Sequence, residues 1–492
     1  MNLKTFVLLS ALAVDVVAKA QQPLHVQASH QVDSSTSYDE DLFTPIEDLH
    51  ALSASECTTL QHPNFPGHSV RIKESHLCDG EVQAYTGYID IEARHLFFYF
   101  FESRRGPDTD DVVFWTNGGP GGSSALGLFM ELGPCRVTGP NSTERFDYAW
   151  NDHANVFFID QPVSIGYSYA EHGEHVVHLY MPPSHGSTIE GAKDISAFMA
   201  IFFEHFTQFK GRLFHFAGES YAGRYLPVFA AAVYDQNAEL IEAGLTPINL
   251  TSVMIGNGAT NFIEVVKSYY DVQCKEYGFP LIASISFRES CIDITDPINC
   301  AAAWDFCWSS LAWQWELGIT KRLVMLTHMS CSKGQGFESC YPEAKWIVDY
   351  LNTPNTQAIL GIDPQHSNYS MQSDEIFARF SPQDFWSYRG EDYLAALLER
   401  GIRTLIYVGD TDWIANWVGN ERMTLKLEWT QREAFASQPL RGWFVDGEVA
   451  GKTRRVGPLA YATIRDAGHL AFYDQPRRSL ELVDRWLAGE EL

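Results

Sequence analysis

The stretch FAGESYAGRYLP (residues 216–227) sets Ser220 between Gly218 and Ala222. A nucleophile held on a tight strand-to-helix turn needs small residues two positions before and after it, because the chain doubles back there and leaves no room for side chains. Upstream, RLFHF (212–216) is short, apolar and aromatic, as a buried strand reads. Downstream, RYLPVFAAAVYDQ (224–236) carries apolar residues at helical spacing, with its proline near the start. Strand, glycine turn and helix is the setting a nucleophilic serine requires. An ordinary serine between two elements has the same local pattern, so the rest of the chain must decide.

Other segments repeat the strand signal. DVVFWTN (111–117), ANVFFID (154–160), TSVMIGNG (251–258) and TLIYVGD (404–410) are near-continuous apolar runs ending in turn residues, as strands buried on both faces read. Helical patterns such as IEGAKDISAFMAIFFEHF (189–206) separate them. Strands alternating with helices imply an α/β fold around a mostly parallel sheet. QAYTGYIDI (83–91) and HLFFYFFES (95–103) read as an antiparallel pair turning at Glu92–Arg94. Residues 259–380 lose the strand pattern and hold six of the nine cysteines, which predicts a helical, disulfide-containing insertion over the sheet. The expected organisation is therefore a first core part over 76–258, the insertion over 259–380 and a second core part over 381–492.

The N-terminus fits a secretory signal over 1–20: Lys4, then an apolar run, then the small-x-small triplet Ala18-Lys19-Ala20. Residues 21–75 are polar, lack strand alternation and read as a pro-segment or extended arm. Nine cysteines, and sequons at Asn141, Asn249 and Asn368, agree with secretion. With 45% apolar and 13% aromatic residues the 492-residue chain is a folded globular protein. A formal charge of -27 argues against nucleic acid as a partner. No other run is long and apolar enough to span a bilayer.

The chemistry gathers at the strand ends, where α/β sheets place their sites. A serine nucleophile needs a base, and the base an orienting acid. GDTDWIANWVGN (409–420) offers Asp410 and Asp412; IRDAGHLAFYDQP (464–476) offers His469 in a glycine-containing loop. FWTNGGPGGSSALGLFMELGP (114–134) supplies a glycine-rich loop after a strand, where backbone N–H groups can face a developing oxyanion. Gly119 and Tyr221, the residue after the serine, are the natural donors. No Gly-Lys-Ser/Thr follows that loop, against a phosphate loop.

Together NGGPG, GESYAG, GDTDWIANWVGN and AGHLAFYDQP, from about Tyr85 to the C-terminus, resemble the serine carboxypeptidases, most closely the vacuolar and secreted fungal enzymes. The resemblance implies an α/β-hydrolase fold and a serine-type carboxypeptidase favoured at acidic pH. It implies Ser220 as nucleophile, His469 as base and Asp412 as orienting acid, with Gly119 and Tyr221 as oxyanion-hole donors. The substrate's terminal carboxylate would meet Asn117, Gly118, Glu131 and Glu219. Leu126, Phe129, Met130 and Leu470 would line apolar subsites. By resemblance Cys274 pairs with Cys291 and Cys331 with Cys340; Cys300–Cys307 is the local remainder, and at most one bridge can form among Cys57, Cys78 and Cys135. The substrates are peptides or proteins with a free C-terminus, no cofactor or metal is implied, and the destination is vacuolar or extracellular.

Three departures stand out. Thr116 and Gly122 replace the family's usual Leu and Cys in that loop, and the cysteine's partner region, HSNYSM (366–371), also lacks one. Ala415 stands where a free cysteine is common, and Ala471-Phe472 where Val-Pro is common. Two other readings remain: an acyltransferase or esterase using the same triad, and an inactive hydrolase fold serving as a binding module.

Overall fold

A computed structural model describes residues 43–78, 80, 82–171, 187–272, 341–380, 384 and 389–492. The expected signal segment, the first part of the arm and the three cysteine pairs of the insertion lie outside these residues.

One sheet of thirteen strands organises the described chain. The strands are β1 (Thr58–Gln61), β2 (His68–Ser75), β3 (Ala84–Ile91), β4 (Arg94–Phe101), β5 (Val112–Thr116), β8 (Asn155–Ile159), β9 (Tyr169–Ala170), β10 (Leu213–Glu219), β11 (Asn249–Gly256), β12 (Arg403–Gly409), β13 (Arg441–Val445), β14 (Glu448–Val456) and β15 (Leu459–Ile464). β6 (Cys135–Gly139) and β7 (Ser142–Arg145) form a separate hairpin. The sheet order is β1-β2-β3-β4-β8-β5-β10-β11-β12-β15-β14-β13, with β9 on β4. The central block β8-β5-β10-β11-β12-β15 is parallel throughout. The strands on either side of it are antiparallel.

β1 and β2 correct one sequence expectation. Residues 58–61 and 68–75, in the segment read as lacking strand alternation, are strands of the main sheet. HSVRIKES alternates after all: Val70 and Ile72 are fully buried, between residues that point outward or carry their charge to a partner. Lys73, for example, is buried and donates through its Nζ to Ile359 O at 3.1 Å.

The aromatic runs are explained by burial on both faces. In β4, Phe98 and Phe100 enter one core cluster while Phe97, Tyr99 and Phe101 enter the other, all fully buried. The period-2 pleat sends neighbours to opposite faces. Helix α1 (Thr188–His205) and helix α2 (Ala222–Glu242) pack together on the first face, where Phe198 and Phe202 meet Phe157 at 5.5 and 4.8 Å between ring centroids. The opposite face is closed by Trp115, Trp150 and Phe472, stacked edge to face, and by Trp486 of helix α3 (Pro476–Leu487).

Cys78 and Cys135 form a disulfide that ties the β2–β3 connection to the small hairpin. Cys57 is exposed and free.

Candidate active site

The six parallel strands each end in a polar residue on the same edge of the sheet. In spatial order these are Asp160 after β8, Asn117 after β5, Ser220 after β10, Asn257 after β11, Asp412 after β12 and His469 in the loop following β15. The carboxyl edge of a parallel sheet gathers side chains far apart in sequence, which is why sites form there.

Ser220 sits at φ +61°, a left-handed conformation unusual for a residue with a side chain. Its N–H donates to Gly256 O at 2.9 Å, and its carbonyl accepts from Gly223 N and Ala259 N at 3.0 and 2.9 Å. These bonds lock the turn between β10 and α2. Gly218 is forced: a Cβ there would lie 2.4 Å from Thr116 O and 2.7 Å from the Ala222 Cβ. The small residues flanking Ser220 thus do what the elbow requires.

Asp412 meets His469, and Asp410 does not. The His469 Nδ1 lies 2.9 Å from Asp412 Oδ2. Asp412 is fully buried and accepts three further hydrogen bonds: Ile414 N at 2.9 Å, Ala415 N at 3.2 Å and Asn257 Nδ2 at 2.7 Å. Asp410 instead accepts from Asp466 N at 2.8 Å and so shapes the histidine loop. Burial pulls the His469 imidazole down, but the Asp412 charge and hydrogen bond outweigh it, with Glu131 and Asp474 adding, so its pKa lies above the ordinary value.

Asn257 was missed by sequence reasoning. Its Nδ2 bridges Asp412 Oδ2 and Gly468 O (3.2 Å), next to the histidine, while its Oδ1 accepts from Gly409 N at 3.3 Å. It is fully buried at φ +44°. The signal was present in IGNG, an asparagine at a strand end among glycines, where asparagine tolerates the left-handed region best.

The second half of the site is a cluster of buried carboxyl groups. Asn117 Nδ2 donates to Glu219 Oε1 at 2.9 Å. Its Oδ1 accepts from Trp115 Nε1 at 2.8 Å and Gly127 N at 3.0 Å, and these two donors fix which way the amide points. Gly127 is needed for that contact, since a Cβ would fall 2.3 Å from Trp115 Nε1. Gly127 also opens a π-helical turn, Gly127–Leu132, that carries Glu131 inward. Glu131 is fully buried, and neither carboxyl oxygen receives a well-aligned donor among the described residues. Its natural partner is the Glu219 carboxyl, within hydrogen-bonding reach, and that bond requires a shared proton. Burial, then mutual repulsion, holds Glu219 well above the carboxylate range, and burial raises Glu131 as well.

Gly118 abuts the serine turn: a Cβ on it would lie 2.3 Å from Tyr221 N. The Tyr221 N–H and the Gly118-Gly119 loop therefore face each other beside Ser220. Leu126, Phe129, Met130 and Leu470 are the four residues expected to line apolar subsites. Phe129, Met130 and Leu470 are at most 2% exposed and belong to the core; the π-helical turn points 128–132 inward. Of the four residues only Leu126 is partly exposed.

The loop that lacks the family cysteine is held by main chain. Gly122 pairs with Gln372 in an antiparallel bridge, Ser123 N donates to Met371 O, and Ser373 N donates to Gly121 O, both at 2.9 Å. The expected partner region, HSNYSM, thus leads directly into that bridge.

A family model described as serine carboxypeptidase matches residues 77–489. Carboxypeptidase Y of Komagataella phaffii is 33% identical over 451 residues, covering 88% of this chain and 81% of the relative. Carboxypeptidase Y of Candida albicans is 34% identical over 446 residues, covering 86% and 77%. The fold resembles the crystal structure of Kex1(Δ)p, a prohormone-processing carboxypeptidase from Saccharomyces cerevisiae, with a TM-score of 0.71 at 21% identity over 83% of this chain and 92% of that one. The chain has the α/β-hydrolase fold and belongs to the serine carboxypeptidase family.

Proposed function

We propose that the protein is a serine-type carboxypeptidase that releases C-terminal amino acids from peptides and proteins. Ser220 attacks the last peptide bond. His469 takes its proton and returns it to the leaving amine. Asp412 fixes the imidazole and balances its charge. The Gly119 and Tyr221 N–H groups receive the oxyanion. Water then releases the acyl-enzyme by the same steps. Asn117, Gly118, Glu131 and Glu219 receive the substrate's terminal carboxylate.

The observation that carries this reading is the Asn117–Glu219–Glu131 cluster, buried two strand ends from the Asp412–His469 pair. A protonated carboxyl can donate to an incoming carboxylate, and an esterase has no use for such a group. The shared proton is held below the pair's raised pKa and lost as pH rises through it. Peptide binding therefore weakens on the alkaline side. His469 must be neutral to act as base, which limits the acid side. Below about 7, where Glu131 is itself protonated, it no longer raises His469, so the two demands are met together in mildly acidic solution.

The test compares a peptide with a free C-terminus and the same peptide amidated. Release from the free acid alone supports the reading. Equal turnover of an ester and no peptide release favours the acyltransferase or esterase, and no turnover of either favours a binding module. We further infer a signal segment over 1–20, glycans at Asn141, Asn249 and Asn368, the three cysteine pairs of the insertion, and a vacuolar or extracellular destination. All three sequon asparagines are exposed, which suits glycosylation. Among the described residues no helix is long and apolar enough to cross a membrane.

A further inference from the structure

Asp160 is a fully buried carboxyl that the triad and carboxylate site do not use. It follows β8, beside the strand that carries Asn117. Its Oδ1 accepts from Ser123 Oγ at 2.6 Å and from Ser124 N at 2.8 Å. The Ser124 hydroxyl donates to Ile159 O at 2.6 Å and in turn accepts the Asn117 N–H at 3.1 Å. A second connection starts at the next residue. Gln161 Nε2 donates to Thr116 Oγ1 at 3.2 Å, and Thr116 Oγ1 donates to Asn117 O at 3.3 Å. The end of β8 thus grips the Asn117 main chain at both its N–H and its C=O.

That grip has a functional consequence. The Asn117 side chain reaches Glu219, and the next two residues, Gly118 and Gly119, form the loop against Tyr221 N. A displacement of the Asn117 main chain moves the amide and the glycine loop together. Tyr369 OH donates to Ser123 Oγ at 2.9 Å and braces the same serine from the segment paired with Gly122.

We propose that Asp160 is a positioning residue that acts through Ser123 and Ser124 to aim Asn117 at the substrate's carboxylate; this rests on the carboxypeptidase reading. Both groups on Asp160 Oδ1 are donors, and the Tyr167 main-chain N–H also faces the carboxyl, so the Oδ1 position requires an acceptor oxygen. An asparagine supplies that oxygen. Burial also raises the Asp160 carboxyl to about 7, which makes the neutral side chain a fair substitute in acid.

The experiment uses the full chain and two substrates sharing an acyl group: a blocked dipeptide with a free carboxylate, and the corresponding ester without one. The variants are Asp160→Ala, Asp160→Asn and Ser124→Ala, each checked by thermal unfolding. Asp160→Ala and Ser124→Ala are expected to raise the peptide KM about tenfold or more, as sub-ångström misplacement of a recognition group does. The ester KM should stay within about twofold, because the ester does not use that group. Asp160→Asn should recover most of the peptide KM. If Asp160→Ala fails to fold, Ser124→Ala, which removes the hydroxyl joining Asn117 N to Ile159 O and keeps the Ser124 N bond to Asp160, carries the test together with Asp160→Asn. Equal KM changes for both substrates, an unchanged peptide KM in Ser124→Ala, or an Asp160→Asn as impaired as the alanine would each overturn the proposal. A parent protein that releases no amino acid would instead refute the functional reading.

Discussion

Replacing Glu219 by Gln separates proton sharing from the rest of the site. The glutamine can keep the Asn117 contact, since its Oε1 can still accept from Nδ2 at the 2.9 Å position. Its amide then offers Glu131 and the substrate a permanent N–H where the parent offers a proton that leaves with rising pH. In the parent, burial raises Glu131 to about 7, and burial and repulsion by Glu131 hold Glu219 well above the ordinary carboxylate range. Both are raised, so the binding-competent form is full below that range and empties above it. Each pH unit beyond the loss multiplies the peptide KM tenfold, or about 1.4 kcal/mol. From pH 7 to 9 the parent's peptide KM should rise by up to about 100-fold, and that of Glu219→Gln by about threefold or less. The assay is steady-state hydrolysis of a blocked dipeptide from pH 5 to 9, with the matching ester as control. The ester KM should stay nearly flat for both proteins. A Glu219→Gln profile that superimposes on the parent's would refute the shared-proton argument.

Other expectations follow from the same geometry. Ser220→Ala should lower kcat by about ten-thousandfold or more without changing the unfolding temperature much, and Asp412→Asn should be comparably severe because it fixes the wrong histidine tautomer. Residual turnover within tenfold of the parent, in a preparation free of other peptidases, would sink the Ser220 assignment. Asn257→Ala removes the bridge to Asp412 and Gly468, with one bond to a charged acceptor, and should cost about 1.5–3 kcal/mol in kcat/KM, roughly ten- to a hundredfold; parent-like kinetics would make it a bystander. Gly122→Cys with Gln372→Cys should form a disulfide across the existing bridge and raise stability by about 2–4 kcal/mol, because paired strand positions lie within disulfide reach. Free thiols at both positions after oxidation would contradict that register. Mercurials should leave activity largely intact, since buried Ala415 beside Asp412 offers no thiol and the exposed Cys57 lies outside the site; rapid stoichiometric inactivation traced to the site would count against this.

The fold was legible where the chain is buried on both faces. VVFWT, NVFFI, NLTSVMIG and RTLIYVG carry near-continuous apolar runs, and all four are central parallel strands. β1 and β2 were not legible, because at the antiparallel margin polar residues find partners instead of solvent. Arg71 in β2 pairs with Asp90 of β3 at 2.6 Å, and Lys73 buries its ammonium on a carbonyl. A reading based on apolar periodicity counts such residues against a strand.

The site divides along a similar line. Ser220, Asp412 and His469 lie in loops whose glycines and turn residues advertise them, and the structure brings Asp412 and His469 into contact. Phe129 and Met130, expected at apolar subsites, lie on the π-helical turn and pack in the core. Sequence distance from a polar residue does not say which way a neighbour faces. Asn257 and Asp160 were overlooked for a different reason. Each ends a strand in a short turn where asparagine and aspartate are ordinary turn formers, and one-dimensional context gives no hint of a partner 155 or 37 residues away. Only the order of the sheet does so. It sets Asn257 between Ser220 and Asp412, and Asp160 beside Asn117. The residues easiest to read are those with a recognisable local turn, while those that orient them become visible once the parallel strands are placed side by side.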